Sequence, residues 1–349
     1  MRRYLYFVLG ITALVALPLL ASGALTAAAD SGANHQVRQT RPIELGTSGG
    51  NINDIDKAFC YGGTLGALVQ AGSDQYILSN NHVLARTNKA SRGDDIIQPG
   101  LIDVGCKKIP DDIVADLTDF EPILFKSNKT MPLNTVDAAI ALARTGAVQT
   151  DGAILDIGTI SNQTAQGKVD CQVKKSGRTT GLTTGTISAV DVTADINYGK
   201  GKVARFTNQF LVTPGSFSAG GDSGSLIVRD GTKPRAVGLL FAGSSSYTIG
   251  SPISSVLSAF GVSMVGSGDG TGDCPEAVPS GTTDSAKEAK GRNEEALLHI
   301  PDVVGVGVGH DGAIEVYLAR DNASSRARVP SELENIPVHV IVTGEFTAR

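Results

Sequence analysis

The sequence contains no tryptophan, and aromatic residues make up only 5% of its 349 positions. So little ring mass argues against a core or a binding face built on stacked aromatics. With 42 glycines and many short β-branched runs, the balance points to all-β architecture. Charge of either sign is also sparse, with 19% charged residues and a net charge of −5. A nucleic-acid partner leaves a clustered basic footprint, so none is expected. The four cysteines, Cys60, Cys106, Cys171 and Cys274, never fall close together. That spacing excludes the paired thiolates of a zinc site. Three of the five histidines, His299, His310 and His339, are not spaced as ligands either. No metal is therefore expected.

An export signal is legible at the start. Arg2 and Arg3 precede an apolar stretch from Tyr4 to Leu20, and Ala27-Ala28-Ala29 offers a small-residue cleavage site. Residues 1–29 are read as a signal peptide, with an uncleaved anchor as the alternative. Beyond that segment no membrane contact is expected, and the product is placed outside the cell. An even cysteine count in an exported chain predicts two disulfides, with the pairing left open.

Residues 30–55 are polar and read as a lead-in or pro-segment. Residues 56–264 carry short apolar runs broken by Gly, Asp and Asn, with no long amphipathic helix. Thr64–Val69 and Tyr76–Leu78 around Ala71-Gly72-Ser73-Asp74 read as a hairpin. Further strands are predicted at Val136–Leu142, Thr186–Val190, Phe210–Thr213, Leu226–Val228 and Ala236–Phe241. Many short strands without βαβ spacing mean a sandwich or a pair of small barrels. Residues 265–284 have linker composition. Residues 285–349 change pattern: a helix from Ser285 to Leu298, a hairpin of Val303–Val308 with Ala313–Ala319, a short helical turn near Pro330, and a strand through Val338, Val340 and Val342. The order is α-β-β-α-β, a small α+β accessory domain.

The chemistry begins at Gly220-Gly221-Asp222-Ser223-Gly224-Ser225-Leu226. A serine hydroxyl is a weak nucleophile until a base takes its proton. Flanking glycines let the backbone turn tightly enough to aim N–H groups at an oxyanion, here from Gly221 and Ser223. The base candidate is His82, the one histidine between residues 56 and 264, in Ser79-Asn80-Asn81-His82-Val83-Leu84. The orienting acid is Asp137, a single carboxylate opening the apolar run Val136–Leu142. Unpaired burial there would be costly.

These motifs, in the order His, Asp, Ser, resemble the chymotrypsin/trypsin-like serine peptidases in their bacterial branch. Ser176-Gly177-Arg178-Thr179-Thr180-Gly181 is similar to a segment of the streptogrisin and α-lytic peptidases. The resemblance implies two antiparallel β-barrels with a catalytic site of His82, Asp137 and Ser223 between them. It also implies that Arg178 pairs with Asp222 to shape the oxyanion hole, and it implies no organic cofactor. The substrate pocket is expected at Phe217, Phe241, Ala242 and Gly243. Phe217 stands where an acidic pocket floor would lie, so small or apolar side chains are the expected preference and cleavage after Lys or Arg is not.

A secreted endopeptidase acting on polypeptides is the function these residues favour. A catalytically weak binding module, or a self-cleaving or esterolytic enzyme of the same fold, are the alternatives. The C-terminal domain is expected to be accessory, with docking on the peptidase domain as one role.

Overall fold

The computed structural model describes residues 34–57, 59–270, 274 and 280–349. The signal segment at 1–29 and part of the expected linker lie outside them. Strands dominate, as the short β-branched runs and frequent turn residues require. Among the described residues no helix is long and apolar enough to cross a membrane.

The first barrel is an eight-stranded sheet in the order Ser263–Met264, Ala67–Ala71, Asp74–Ser79, Ala139–Ala143, Ile113–Phe120, Asp95–Ile97, Thr47–Asn51 and Gly63–Leu65. The hairpin expected at Ala71-Gly72-Ser73-Asp74 is present, with Ala71 paired to Asp74. Gly72 takes φ +60° in its turn, a value that glycine adopts at little cost. Leu65, Leu68, Ile77, Val114 and Leu117 fill the interior.

The second barrel closes on itself. Gly181–Asn197 pairs with Gln172–Gly177 on one side and with Val203–Thr213 on the other. Leu226–Arg229, Ala236–Gly243 and Thr248–Pro252 complete the ring. All these ladders are antiparallel. Closure removes the free edges that would otherwise template aggregation. Phe210, Val212, Ile227 and Leu240 pack inside.

The cysteines form Cys60–Cys106 and Cys171–Cys274. Bonds of this kind persist in oxidising compartments.

The C-terminal α+β segment follows the expected order: a helix Ser280–Leu298, a hairpin Val303–Gly309 with Ile314–Leu318, then Ile336–Val342 beside Ile314–Leu318. The short helix is displaced from the expected place near Pro330. It lies at Ala323–Arg326, where the Asn322 side chain caps it by accepting from the Ser324 N–H at 3.0 Å. Val303–Gly309 pairs antiparallel with Gly181–Asn197, extending the second barrel's sheet. Its alternating glycines leave room for the Tyr317 ring. A Cβ at Gly307 would stand 3.1 Å from the Tyr317 hydroxyl and 2.8 Å from Val192. From Gly344 the chain then turns back toward the junction of the two barrels.

Candidate active site

His82 lies in the single helical turn Asn81–Leu84, directly after the strand Asp74–Ser79. Two buried asparagines fix that turn. Asn80 Nδ2 donates to the Asp137 carbonyl at 2.7 Å, and Asn81 Nδ2 donates to the Glu121 carbonyl at 2.6 Å. Asp137 lies two residues before the strand Ala139–Ala143, which pairs with Asp74–Ser79, so the two side chains meet near adjacent strand ends.

Asp137 is wholly buried, yet it is not unpaired. Its Oδ2 accepts from His82 Nδ1 at 2.6 Å and from the Tyr198 hydroxyl at 2.7 Å, and its Oδ1 accepts from the His82 N–H at 3.2 Å. Three donors offset the desolvation that a buried carboxylate suffers. Burial pulls the His82 imidazolium down, but the charge and hydrogen bond of Asp137 outweigh it, leaving the histidine above its ordinary 6.5. Burial, reinforced by the neighbouring carboxylate, holds the Tyr198 phenol well above its usual range. The Tyr198 ring also meets the His82 ring edge-on at 5.9 Å. Sequence reasoning missed Tyr198. It ends a long strand beside a Gly-Lys-Gly turn, and no spacing links it to Asp137.

Ser223 sits in a turn braced by the first barrel. Thr64 donates its N–H to the Ser223 carbonyl at 2.8 Å. Gly221 and Gly224 take φ +99° and +94°. A Cβ at Gly224 would lie 2.3 Å from the Thr64 carbonyl, so only glycine fits there. Ser223 Oγ donates to the Phe241 carbonyl at 3.3 Å. His82 Nε2 faces the Arg349 carbonyl, also at 3.3 Å.

Asp222 is fully buried, but Arg178 is not its partner. The Arg178 guanidinium forms a two-pronged pair with Asp103, Nε to Oδ2 at 2.7 Å and Nη2 to Oδ1 at 2.5 Å. Asp222 is held by the N–H groups of Thr179 at 2.8 Å, Thr180 at 3.2 Å and Ala219 at 2.9 Å, and by the Thr180 hydroxyl at 2.8 Å. The nearest cation is Lys175 Nζ at 3.8 Å, itself completely buried. Burial depresses that lysine to about 8, against the raising pull of Asp222. Arg178 occupies the tight turn between Gln172–Gly177 and Gly181–Asn197, from which its largely buried side chain reaches across to Asp103. The inward position of that strand belongs to Lys175.

The expected pocket is also corrected. Phe217 and Phe241 are buried in separate hydrophobic clusters. The Phe241 ring packs on Phe206 at 4.8 Å, and it is the Phe241 carbonyl that faces the cleft. Ala242 and Gly243 do line the groove through their backbone, which pairs with residues 347–348. A cleft of about 740 Å³ continues past His82, lined by Asp54, Asp56, Tyr61, Arg86 and Lys200. Among the described residues no grouping of three His, Cys, Asp or Glu side chains could hold a metal ion.

The family described as the Nal1 C-terminal domain matches residues 134–249. Glutamyl endopeptidase 2 of Streptomyces griseus is 36% identical over 118 residues, which is 33% of this chain and 56% of that protein. This chain is similar to that endopeptidase over a third of its residues. It spans little more than half the length of that curated relative. Among solved structures, a glutamic acid specific serine protease matches at 24% identity and TM-score 0.44, over 64% of this chain and all of that one. Protease A of Thermobifida fusca matches at 19% identity and TM-score 0.44, over 64% of this chain and 99% of the other. The His82–Asp137 pair belongs to the first barrel, and the Ser223 turn leads into Leu226–Arg229 of the second.

Proposed function

We propose that the chain is an exported serine endopeptidase that hydrolyses peptide bonds through an acyl-enzyme on Ser223. His82 takes the Ser223 proton through Nε2 as the hydroxyl attacks the scissile carbonyl, then returns it to the leaving amine. Asp137 holds the imidazole with Nδ1 protonated and stabilises the imidazolium as it forms. Water then attacks the ester carbon, gives its proton to Nε2, and releases the new carboxylate and Ser223. The N–H groups of Gly221 and Ser223 stabilise the tetrahedral oxyanion. The observation that carries this reading is the 2.6 Å contact of His82 Nδ1 with a carboxylate buried away from water, which leaves Nε2 directed into the cleft. Ser223 Oγ donates to the Phe241 carbonyl at 3.3 Å, so the attack requires the hydroxyl to leave that partner and turn to Nε2.

An active-site phosphonate tests the proposal. Purified protein should be labelled at Ser223, and Ser223→Ala should abolish labelling and cut turnover by about 10⁵–10⁶-fold. Folded protein that resists labelling in every variant, with residues 347–349 present or absent, would leave a peptidase-shaped binding module as the better reading. The expected signal segment and the paired cysteines together support export.

A further inference from the structure

We propose that residues 346–349 fill the acyl-side half of the chain's own substrate groove, and that the pocket beneath them takes a basic side chain. The inference rests on the peptidase reading and names the substrate class of that site.

Phe346–Ala348 lies antiparallel to Ala236–Gly243, with Ala348 opposite Ala242 and Thr347 opposite Gly243. This is strand addition, the way a peptide joins an exposed edge. Arg349 then donates its N–H to the Phe241 carbonyl at 3.1 Å. Ser223 Oγ donates to the same carbonyl at 3.3 Å, so the Arg349 backbone lies beside the nucleophile. The Arg349 carbonyl sits 3.3 Å from His82 Nε2. A carbonyl accepts only from a protonated Nε2, and a protonated Nε2 has no lone pair left for the serine proton. The segment therefore blocks the groove and holds the base in its inactive form.

The side chain identifies the pocket. Arg349 Nη1 donates to the Ser218 carbonyl at 2.8 Å, and Nη2 donates to the Ser244 carbonyl. Gly243 makes room for it, since a Cβ there would come within 2.6 Å of Arg349 Nε. Converging backbone carbonyls recognise a planar cation and repel a carboxylate. No acidic floor is needed for this selectivity.

The occupant is firmly seated. Phe346 is buried beside Tyr317 at 6.1 Å, and Phe346 and Thr347 pair in parallel with Ile196 and Asn197. A covalently tethered segment competes at an effective concentration of about millimolar or more, so a free substrate enters slowly.

The test compares the full chain with a chain lacking residues 347–349, which keeps the Phe346 ring in the core, and with full-length Arg349→Glu. Three readouts apply: phosphonate labelling, cleavage of peptide amides bearing Arg or Glu before the scissile bond, and binding of a fluorescent peptide of residues 345–349. The shortened chain should be labelled at least about tenfold faster. It should favour the Arg substrate and bind the peptide, which the full chain should not. The Glu variant should behave more like the shortened chain. Equal labelling and turnover in all forms, or a preference for Glu substrates, overturns the inference while leaving the peptidase reading intact. Peptide binding to the shortened chain alone, with no labelling anywhere, upholds the groove occupancy and ends the acyl-transfer reading. Neither labelling nor binding overturns both.

Discussion

Asp137 Oδ2 takes two hydrogen bonds, one from His82 and one from Tyr198. The Tyr198 donor spreads the carboxylate's charge and so restrains how strongly it holds the imidazolium. In Tyr198→Phe the freed oxygen should bind the imidazolium more tightly. The acid limb of kcat/KM, already expected above the ordinary 6.5 because of Asp137, should move further alkaline. Activity should fall about 10- to 100-fold, in line with the roughly 1.5–3 kcal/mol carried by a hydrogen bond to a charged group. The same raised histidine adds stability below its ordinary value and loses that stability as pH climbs through the folded value. Asp54, partly buried near His82, acts in the same direction. A pH–rate profile of the chain lacking residues 347–349 measures this directly, and an unmoved midpoint in Tyr198→Phe would assign the tyrosine a packing role.

At the scale of elements, the nucleophile turn is fixed by close approach of two barrels. Gly224 at φ +94° packs against the Thr64 carbonyl and Ser79 Oγ. In Gly224→Ala both the backbone angle and the space are wrong. The expected loss is about 2–4 kcal/mol, read by denaturant midpoint, with labelling of Ser223 impaired in whatever remains folded. Gly220 has open space at its Cβ position, and Gly220→Ala should be nearly silent by the same measurement. Equal effects of the two substitutions would reject the steric account. The strand elements themselves were legible, because turn residues and alternating patterns are local signals. The short helix at Ala323–Arg326 was misplaced because Pro330 is a louder sequence signal than an asparagine cap.

For the whole molecule, Cys171–Cys274 closes a span of 103 residues and ties the second barrel to the segment before the C-terminal helix. Constraint of the unfolded chain by a loop of that size is worth about 4–5 kcal/mol. The double variant Cys171→Ala, Cys274→Ala should melt about 10 °C lower. Loss of the bond should also loosen the tail, so phosphonate labelling of the full-length variant should quicken. A melting temperature that does not fall would show that the sheet shared by Gly181–Asn197 and Val303–Gly309 holds the C-terminal segment unaided.

The sequence alone determined the all-β class and named the candidate trio of His82, Asp137 and Ser223, while the pair of barrels came from the resemblance their motifs carry. Their motifs are local, and the chemistry of acyl transfer demands those residue types in that setting. It also carried the cysteine count, though not the pairing. The tertiary structure decided which buried groups meet: Lys175 rather than Arg178 near Asp222, Tyr198 on Asp137, and the Ser218 and Ser244 carbonyls around the Arg349 side chain. Side-chain direction depends on strand register, which one chain read alone does not fix. The placement of residues 346–349 across the cleft needed two strands that lie far away in sequence. Such a long-range pairing leaves no signature in a four-residue segment.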